Sequence, residues 1–363
     1  MTVLYICRFD AMANNGVFEA LKTEVKGLSK HAKVGVFDLG SNISIEGFSN
    51  IFYRNKFESI EKLPSPFNHP NIVVFEEVYK FEYISMYKTL LLNRIPYVII
   101  PHGSLVKKEQ ERKFIKKKTA NVLFFRSFIK HANAIQFLNE QEKKNSIYNS
   151  QNSIIIPNSV DIKVDKSKSY KKKKNSFVYI GRYSVKTKGL DLLVETCRKY
   201  KDEFRKKNIT IDLYGSSDSN SRSLQKLKAI IDKNGLSDII SLNGPVYGKD
   251  KAKVLLEHQF FIQVSRHEGQ PMGIIEALMY GLPCVVTEAT SFGDFCEDNK
   301  CGIRVNGKIC PLNKAIIKIT EIDDKEKARM AYSASKKATS CFDCRSVGSL
   351  TSDSYISIAK GGI

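Results

Sequence analysis

Residues 265–287 read SRHEGQPMGIIEALMYGLPCVVT, and this stretch decides the fold class. The apolar run FFIQV that precedes it predicts a strand, after which a polar loop leads to a helix over 273–280. Pro271 suits the first helical turn and Gly281 ends the helix, so the apolar residues that follow begin a second strand. A strand, a helix and a strand in this order predict a βαβ unit with parallel strands.

The same alternation extends outward through most of the chain. In the C-terminal half, it predicts strands over 176–180, 209–214 and 239–243 and helices over 191–200, 224–234 and 251–257. In the N-terminal half, it predicts a helix over 17–28 and strands over 3–7, 32–39, 71–75, 97–100, 134–138 and 153–156. These are the repeated βαβ units of an α/β protein with parallel sheets.

The segment 157–175 interrupts this alternation. It is polar and lysine-rich and has no periodic apolar residues, which is typical of a linker. A chain of 363 residues also suits two domains of about 150–180 residues better than one core. We therefore expect two Rossmann-like, doubly wound domains, 1–160 and 161–344, that face a central cleft. A C-terminal helix over about 345–363 is expected to pack back on the first domain. Such sheets bind ligands at the carboxyl ends of their strands.

The net charge of +20 suggests an anionic partner. Much of the excess lies in two runs, 106–118, with seven basic and two acidic residues, and 163–174. Basic surfaces attract nucleic acid, anionic lipid or phosphorylated small molecules, although a high lysine content also raises the charge without any function.

The sequence predicts neither a membrane span nor a signal peptide. No run approaches the ~18 consecutive apolar residues that a spanning helix requires. The start, MTVLYICRFD, reads as a buried strand and lacks the basic head and cleavage site of a signal peptide. The eight cysteines are scattered, and the close pair Cys341 and Cys344 has no second pair or histidine at zinc spacing. These features predict a cytoplasmic protein with reduced cysteines.

The first motif with chemical meaning is FVYIGRYSVKTKGLDLL over 177–193. A buried strand ends at Gly181, which permits a tight turn, and a helix begins near Leu190. Arg182 and Lys188 lie on the loop between them. Two cations beside a helix N-terminus are typical of a phosphate site, where they neutralise charge on a leaving group. The alternative is an ordinary loop with solvated charges.

The second motif is the opening stretch itself, with two glutamates separated by seven residues. Glu268 lies on the loop before the helix, and Glu276 lies within the helix. Both carboxylates can accept hydrogen bonds from sugar or ribose hydroxyls, while backbone N–H groups around Met272 and Gly273 would face a diphosphate. The alternative is that Glu276 is an ordinary helix glutamate and Glu268 a loop charge.

Together these motifs resemble the retaining glycosyltransferase family 4, whose members have the GT-B fold. The resemblance rests on Gly181-Arg182, Lys188-Gly189-Leu190-Asp191, Leu213-Tyr214-Gly215, Gly244-Pro245-Val246 and the pair Glu268 and Glu276. Cys284 departs from the family pattern, which has valine there. The N-terminal half matches more loosely, through Pro101-His102-Gly103 and PNSVD at 157–161.

The resemblance implies a role for each matching residue. Arg182 and Lys188 would bind the donor diphosphate. Glu268 would contact the hydroxyls of the donor sugar, and Glu276 the ribose. His102 would project toward the transferred sugar and would complete the catalytic set. The other implied donor-binding residues are Gly16, which follows Asn15 where the family has two glycines, Gly215, Val246, Met272 and Gly273.

The implied reaction is the transfer of a hexose-type sugar, with retention of configuration, from a nucleotide sugar such as a UDP- or GDP-sugar to a glycan. The acceptor is expected to be lipid-linked, for example on undecaprenyl diphosphate, in the assembly of a bacterial capsule, O-antigen or exopolysaccharide. No Asp-x-Asp motif is present to hold a metal beside the diphosphate. We therefore expect metal-independent transfer without another cofactor, in which Arg182 and Lys188 replace the metal charge.

Lysines and arginines alternate with apolar residues over 106–137. This pattern predicts one or two basic amphipathic helices, which can lie on the anionic inner face of the cell membrane. The same pattern fits helices that pack their apolar side on the sheet while their lysines face water. Both interpretations stay open from the sequence.

Other classes of protein fit the sequence less well. A nicotinamide-dependent enzyme needs Gly-x-Gly-x-x-Gly after its first strand, which neither half contains. A nucleic-acid-binding protein would explain the charge, but no recognised module is present, and nucleic acid is not an expected partner. A nucleotide-sugar epimerase or a phosphorylase on a similar two-domain fold is the nearer alternative.

Overall fold

The structure is a computed structural model that describes residues 1–9, 16–40, 43–111, 124–162, 170–216 and 222–362. The chain divides into two compact units. The first unit consists of Met1–Asp161 and Phe342–Ile363, and the second consists of Ile162–Cys341. None of the helices in the described ranges combines the length and the hydrophobicity that a membrane span needs.

The first unit is built on a parallel sheet. Its strands are β1 (Thr2–Cys7), β2 (Lys33–Asp38), β3 (Ile51–Tyr53), β4 (Ile72–Glu76), β5 (Tyr97–Ile100), β6 (Ala134–Phe137) and β7 (Ser153–Ile155). They lie in the order β3-β2-β1-β4-β5-β6-β7. The helices before the unit boundary are α1 (Gly16–Leu28), α2 (Glu82–Leu92), α3 (Lys107–Glu111), α4 (Arg126–Lys130) and α5 (Glu140–Asn145). All side chains of β1 and β4 are buried, as expected where helices cover both faces of a parallel sheet.

The second unit is built on a second parallel sheet. Its strands are β8 (Ser176–Ile180), β9 (Thr210–Tyr214), β10 (Ile240–Asn243), β11 (Phe260–Gln263), β12 (Cys284–Thr287) and β13 (Gly302–Val305), in the order β10-β9-β8-β11-β12-β13. The helices are α6 (Leu190–Lys199), α7 (Lys201–Lys206), α8 (Arg222–Lys233), α9 (Gly248–Glu257), α10 (Met272–Met279), α11 (Gly293–Asp298), α12 (Ile309–Glu321) and α13 (Asp324–Phe342). A final helix, α14 (Cys344–Ala359), returns to the first unit.

The predicted fold class is confirmed, since each unit is an α/β domain with a parallel sheet. The predicted strands are all present with nearly the same bounds. The sequence does not predict β3 and β13, which lie at the edges of their sheets and are only partly buried. An edge strand has a neighbour on one side only, so its sequence need not be a continuous apolar run.

The C-terminal helix α14 packs closely on α1. Gly27 of α1 and Gly348 of α14 bring the two backbones into contact, because a Cβ on Gly27 would lie 2.0 Å from the carbonyl oxygen of Cys344. Farther along α14, the buried Tyr355 hydroxyl lies 2.6 Å from Oε1 of Gln136 on β6. These contacts make α14 part of the core of the first unit.

A partly buried polar cluster lies around Asp212 of β9 in the second unit. Ser241 Oγ donates to Asp212 Oδ1 at 2.7 Å, while His258 Nε2 and Lys173 Nζ lie 2.9 and 3.0 Å from Oδ2. Burial works against ionisation, but the hydrogen bonds from His258, Ser241 and Lys173 outweigh it and hold the pKa of Asp212 well below its ordinary value. Because Ser241 contacts Asp212 rather than His258, these residues do not form a nucleophilic triad.

Replacing Asp212 with asparagine should lower the free energy of unfolding of the second unit by about 2 kcal/mol at neutral pH, because a charged hydrogen-bond acceptor is lost. The folded pKa of Asp212 lies below its unfolded value of about 3.9, so this contribution is present above that value and is lost as the pH falls toward the folded pKa. Urea unfolding at several pH values measures the difference, with Asp202→Asn, on an exposed side chain, as the control. A difference that stays constant through the acid range would contradict this account.

Candidate active site

Lys188 lies on the loop that joins β8 to α6. Gly189 follows it with a φ of +69° and caps the start of α6. A Cβ on Gly189 would lie 2.0 Å from the carbonyl oxygen of Val264, so glycine is needed for the loop to lie against the end of β11. The backbone N–H of Lys188 donates to Ser184 O at 2.8 Å. The loop therefore holds Lys188 at the carboxyl end of the sheet.

Lys188 and Glu268 form an ion pair with little exposure to solvent. Lys188 Nζ lies 2.6 Å from Glu268 Oε1, and the two side chains are 17% and 11% exposed. Gln263 Nε2 and Ser265 Oγ donate to the same oxygen, at 2.9 and 2.6 Å. No donor from the described residues contacts the other oxygen, Oε2. Three donors thus fix Glu268 through one oxygen, and its second oxygen remains available to a ligand.

Helix α10 begins beside the end of β8. Pro271 caps the helix, and a Cβ on Gly273 would lie 2.9 Å from the carbonyl oxygen of Ile180. The N–H groups of the first helical turn, which include those of Met272 and Gly273, have no acceptor within the helix. Such a helix start favours a bound anion.

Glu276 lies one turn after Gly273 on α10 and pairs with a cation that the sequence does not predict. Its Oε1 is 2.6 Å from Nζ of Lys251, on α9. Both side chains are partly exposed, so they remain accessible to a ligand. The described residues thus place one lysine–glutamate pair just before α10 and another on the helix itself.

The remaining predicted residues of the second unit follow neighbouring strands. Arg182 is exposed on the loop after β8, and its side chain forms no ion pair within the described part of the chain. Gly215 follows β9, where a Cβ would lie 1.9 Å from the carbonyl oxygen of Gly181. Val246 is half-buried on the loop between β10 and α9. A cavity of about 680 Å³ opens beside Gly215, between the ends of β9 and β10 and helix α8.

Gly16 and His102 belong to the first unit. Gly16 is the exposed first residue of α1, and Asn15 before it lies outside the described residues. His102 follows β5, and its Nε2 lies 2.6 Å from Oε2 of Glu76, the last residue of β4. The two strands are neighbours in the sheet, so the pair lies at its carboxyl end.

The basic region 106–137 is described only in part, because residues 112–123 lie outside the described ranges. In and before α4, Phe125, Phe128 and Ile129 are buried in the core of the first unit. Phe124 is 44% exposed, and its ring lies 5.4 Å from that of Phe81, which is 62% exposed. The described part of this region therefore packs on the core and leaves two neighbouring rings at the surface.

Sequence reasoning missed several residues that contact the predicted ones. Gln263 and Ser265 carried a signal, since polar residues at the end of an apolar strand are unusual unless they serve a site. Glu76 carried the same signal at the end of IVVFE. Lys251 carried none, because 25 residues separate it from Glu276 and no local pattern links the two.

Comparison with known proteins gives the class of this chain. Residues 161–337 match the family model of glycosyl transferases group 1. No curated protein sequence matches the chain significantly. HepE of Anabaena, solved with UDP and glucose, is 16% identical with a TM-score of 0.72, and the alignment covers 98% of this chain and 100% of HepE.

Two further solved structures are similar over almost the whole chain. Sucrose-phosphate synthase of Thermosynechococcus elongatus is 12% identical with a TM-score of 0.72, and the alignment covers 100% of both chains. WaaG, a glycosyltransferase involved in lipopolysaccharide biosynthesis, is 14% identical with a TM-score of 0.65, and the alignment covers 97% of this chain and 99% of WaaG.

The solved structures identify the fold as GT-B, and the second unit matches the model of glycosyl transferases group 1. The chain is a glycosyltransferase. Its second unit carries almost the entire match to glycosyl transferases group 1, which is also where Lys188, Glu268 and Glu276 lie. This result favours a transferase over the epimerase and the phosphorylase that the sequence left open.

Proposed function

We propose that this enzyme is a retaining glycosyltransferase of family 4 that moves a hexose from a nucleoside-diphosphate sugar to a glycan. The observation that carries the proposal is the pair of Lys188 Nζ and Glu268 Oε1, 2.6 Å apart, beside the start of α10. A cation, a carboxylate and a helix N-terminus in one place suit a ligand that carries phosphates next to hydroxyls.

The diphosphate of the donor is assigned to Lys188, Arg182 and the first N–H groups of α10. Arg182 is exposed and has no carboxylate partner among the described residues, so its charge is available to a ligand. Lys188 already contacts Glu268, but an ammonium group has three donors and can bind a phosphate oxygen at the same time. These groups would replace a metal ion as the counter-charge of the diphosphate.

The hydroxyl groups of the donor are assigned to the two glutamates. Glu268 keeps Oε2 for a sugar hydroxyl, while its Oε1 is fixed by Lys188, Gln263 and Ser265. Glu276 would accept from the ribose hydroxyls, with Lys251 holding its carboxylate in place. Each glutamate is thus oriented before the ligand arrives, which lowers the entropy lost on binding.

The proposed chemical step is the same-face substitution that the resemblance to family 4 implies. The bond between the anomeric carbon and the β-phosphate oxygen breaks, and negative charge grows on that oxygen, where Lys188 and Arg182 stabilise it. The acceptor hydroxyl attacks from the same face, and the departing phosphate takes its proton. The anomeric configuration is therefore retained without a covalent enzyme intermediate.

The base of the nucleotide is assigned to the region of Gly215 and Val246. The 680 Å³ cavity, which Gly215 and the end of β10 line, offers space for a base. UDP is the first candidate because HepE was solved with UDP and with UDP-glucose, and GDP remains the second.

The acceptor is proposed to be a lipid-linked glycan of a bacterial surface polysaccharide, for example on undecaprenyl diphosphate. WaaG, with the same fold, acts in lipopolysaccharide biosynthesis. The exposed, neighbouring rings of Phe81 and Phe124 are of the kind that enter the interface of an anionic membrane, and the basic run 106–118 precedes Phe124 in the sequence. The enzyme would then work in the cytoplasm, in contact with the inner face of the membrane.

Thermal unfolding in the presence of UDP-, GDP- and ADP-sugars, without added metal, tests the proposed donor. At one hundred times its Kd the correct donor should raise Tm by roughly 5–10 °C. Glu276→Ala should abolish most of this shift, since the ribose contact is lost. Glu257→Ala removes another helix glutamate of the second unit, and its protein should respond like the parent. The proposal fails if no nucleotide sugar shifts Tm, or if the Glu276→Ala protein responds fully.

A further inference from the structure

A buried histidine–glutamate pair lies at the carboxyl end of the sheet in the first unit. His102 Nε2 is 2.6 Å from Glu76 Oε2, and the side chains are only 7% and 1% exposed. A hydrogen bond of this length between an imidazole and a carboxylate is typical of a charge-assisted contact. Because open α/β sheets bind ligands at this end, the position of the pair indicates a function beyond packing.

The backbone around the pair adopts conformations that non-glycine residues rarely tolerate. His102 has a φ of +46° and Glu77, next to Glu76, has a φ of +67°. The loop is fixed by Glu142 of α5, whose Oε1 accepts from the N–H of Gly103 at 2.5 Å and whose Oε2 accepts from Leu138 N at 2.7 Å. Strained residues that the surrounding structure holds firmly are found preferentially at functional sites.

Each partner also has a polar atom without a partner. Oε1 of Glu76 is buried and accepts no hydrogen bond within the described ranges of the chain. Nδ1 of His102 likewise makes none with any described residue. A buried acceptor without a partner, next to a ring nitrogen that no described residue contacts, suits groups that meet a ligand at this edge of the sheet.

The surrounding charges favour the protonated form of the imidazole. Burial alone would lower the pKa of His102, but Glu76 on β4, Glu142 on α5 and Glu24 on α1 all act to raise it, and their combined effect is the larger one. Glu24 is itself fully buried, and burial raises its pKa to about 7. Among these three groups Glu76, which contacts the imidazole directly, has the largest effect on the pKa of His102.

We propose that Glu76 is a positioning residue that holds His102 as an imidazolium, so that its Nδ1–H donates a hydrogen bond to an oxygen of the sugar substrate. This role rests on the proposed function, which supplies the sugar. An imidazolium cannot accept a proton, so His102 acts as a fixed cationic donor and not as a general base. This agrees with a reaction in which the leaving phosphate takes the proton.

Nuclear magnetic resonance of the ligand-free protein, with isotope-labelled histidine, measures the protonation of His102 directly. In the parent, His102 should titrate above the ordinary value of about 6.5. Glu76→Gln keeps the shape but removes the charge, and it should lower the pKa of His102 by about one to three units. Glu76→Asp keeps the charge and should restore part of the shift. His102→Gln assigns the resonance.

Glu24→Gln is the matched control, because it removes another buried carboxylate of the same core without touching His102. In the Glu24→Gln protein, the pKa of His102 should lie closer to that of the parent than to that of the Glu76→Gln protein. The proposal is overturned if His102 titrates at its ordinary value in the parent, or if Glu76→Gln and Glu24→Gln shift it equally. The parent titration decides the question even if Glu76→Gln fails to fold.

Activity provides a second, separate readout. Glu76→Gln should lower kcat by about 10- to 100-fold. The rate should also begin to fall at a lower pH than in the parent, because His102 loses its proton more readily. A general-base role for His102 would instead make the parent rate rise with pH, and would overturn the proposal. If the titration behaves as expected but no nucleotide sugar is a substrate, the proposed function fails while the charge state of His102 stands.

Discussion

Replacing Lys188 with alanine is expected to lower kcat/KM for sugar transfer by about 100- to 1,000-fold. Lys188 supplies positive charge where the β-phosphate leaves, and its removal also strips Glu268 of its counter-ion inside a site with little exposure to solvent. Both losses act on the transition state. Steady-state release of the nucleoside diphosphate measures the effect, using the donor found by thermal unfolding.

Lys186→Ala is the matched control for this prediction. Lys186 lies on the same loop, two residues before Lys188, but its side chain is exposed. The Lys186→Ala enzyme should therefore retain nearly all of the parent activity. Equal activity of the Lys188→Ala and parent enzymes would remove Lys188 from the proposed mechanism.

Gly189→Ala is expected to lower the free energy of unfolding of the second unit by about 2–5 kcal/mol. The alanine must adopt a left-handed backbone conformation, with φ at +69°. Its Cβ would also lie 2.0 Å from the carbonyl oxygen of Val264. The loop must then move off the end of β11 and take Lys188 with it. Urea unfolding of the purified variant measures the loss, and its transfer rate should fall in parallel.

Gly235→Ala separates the cost of the positive φ from the cost of the close approach to Val264. Gly235 also has a positive φ, of +61°, but nothing lies within 4 Å of the position its Cβ would take. Its substitution should therefore cost only the conformational part, about 1–2 kcal/mol. If both variants lose the same stability, the close approach to Val264 contributes nothing and the loop is not held as described.

Much of the second unit was predictable because its signals are local. Gly281 has a φ of +73° and ends α10, and the N–H of Leu282 donates back to Ala277 O at 2.9 Å, as expected of a glycine after a helix. The apolar runs that become β8 and β11 are central strands, covered on both faces, so their composition alone identifies them. The positions of Lys188 and Glu268 at strand ends followed from the same patterns.

The partners of the site residues were not predictable, because they depend on tertiary packing. Lys251 meets Glu276 only because α9 and α10 lie on the same sheet. Glu76 meets His102 because β4 and β5 are neighbours, a relation that strand order in the sequence suggests but does not establish. The need for glycine at position 215 was not predictable either, because it depends on tertiary packing. A Cβ at this position would lie 1.9 Å from the carbonyl oxygen of Gly181.

The most direct test of the central claim, that the second unit holds a diphosphate between Lys188 and the start of α10, is titration calorimetry with UDP, GDP and ADP. We predict that one of them binds the parent and the Lys186→Ala protein alike, and binds the Lys188→Ala protein at least about tenfold more weakly. The corresponding nucleoside, which lacks phosphates, should show no such difference. Failure of all three diphosphates to bind, or equal affinity for the Lys188→Ala protein, would contradict the claim.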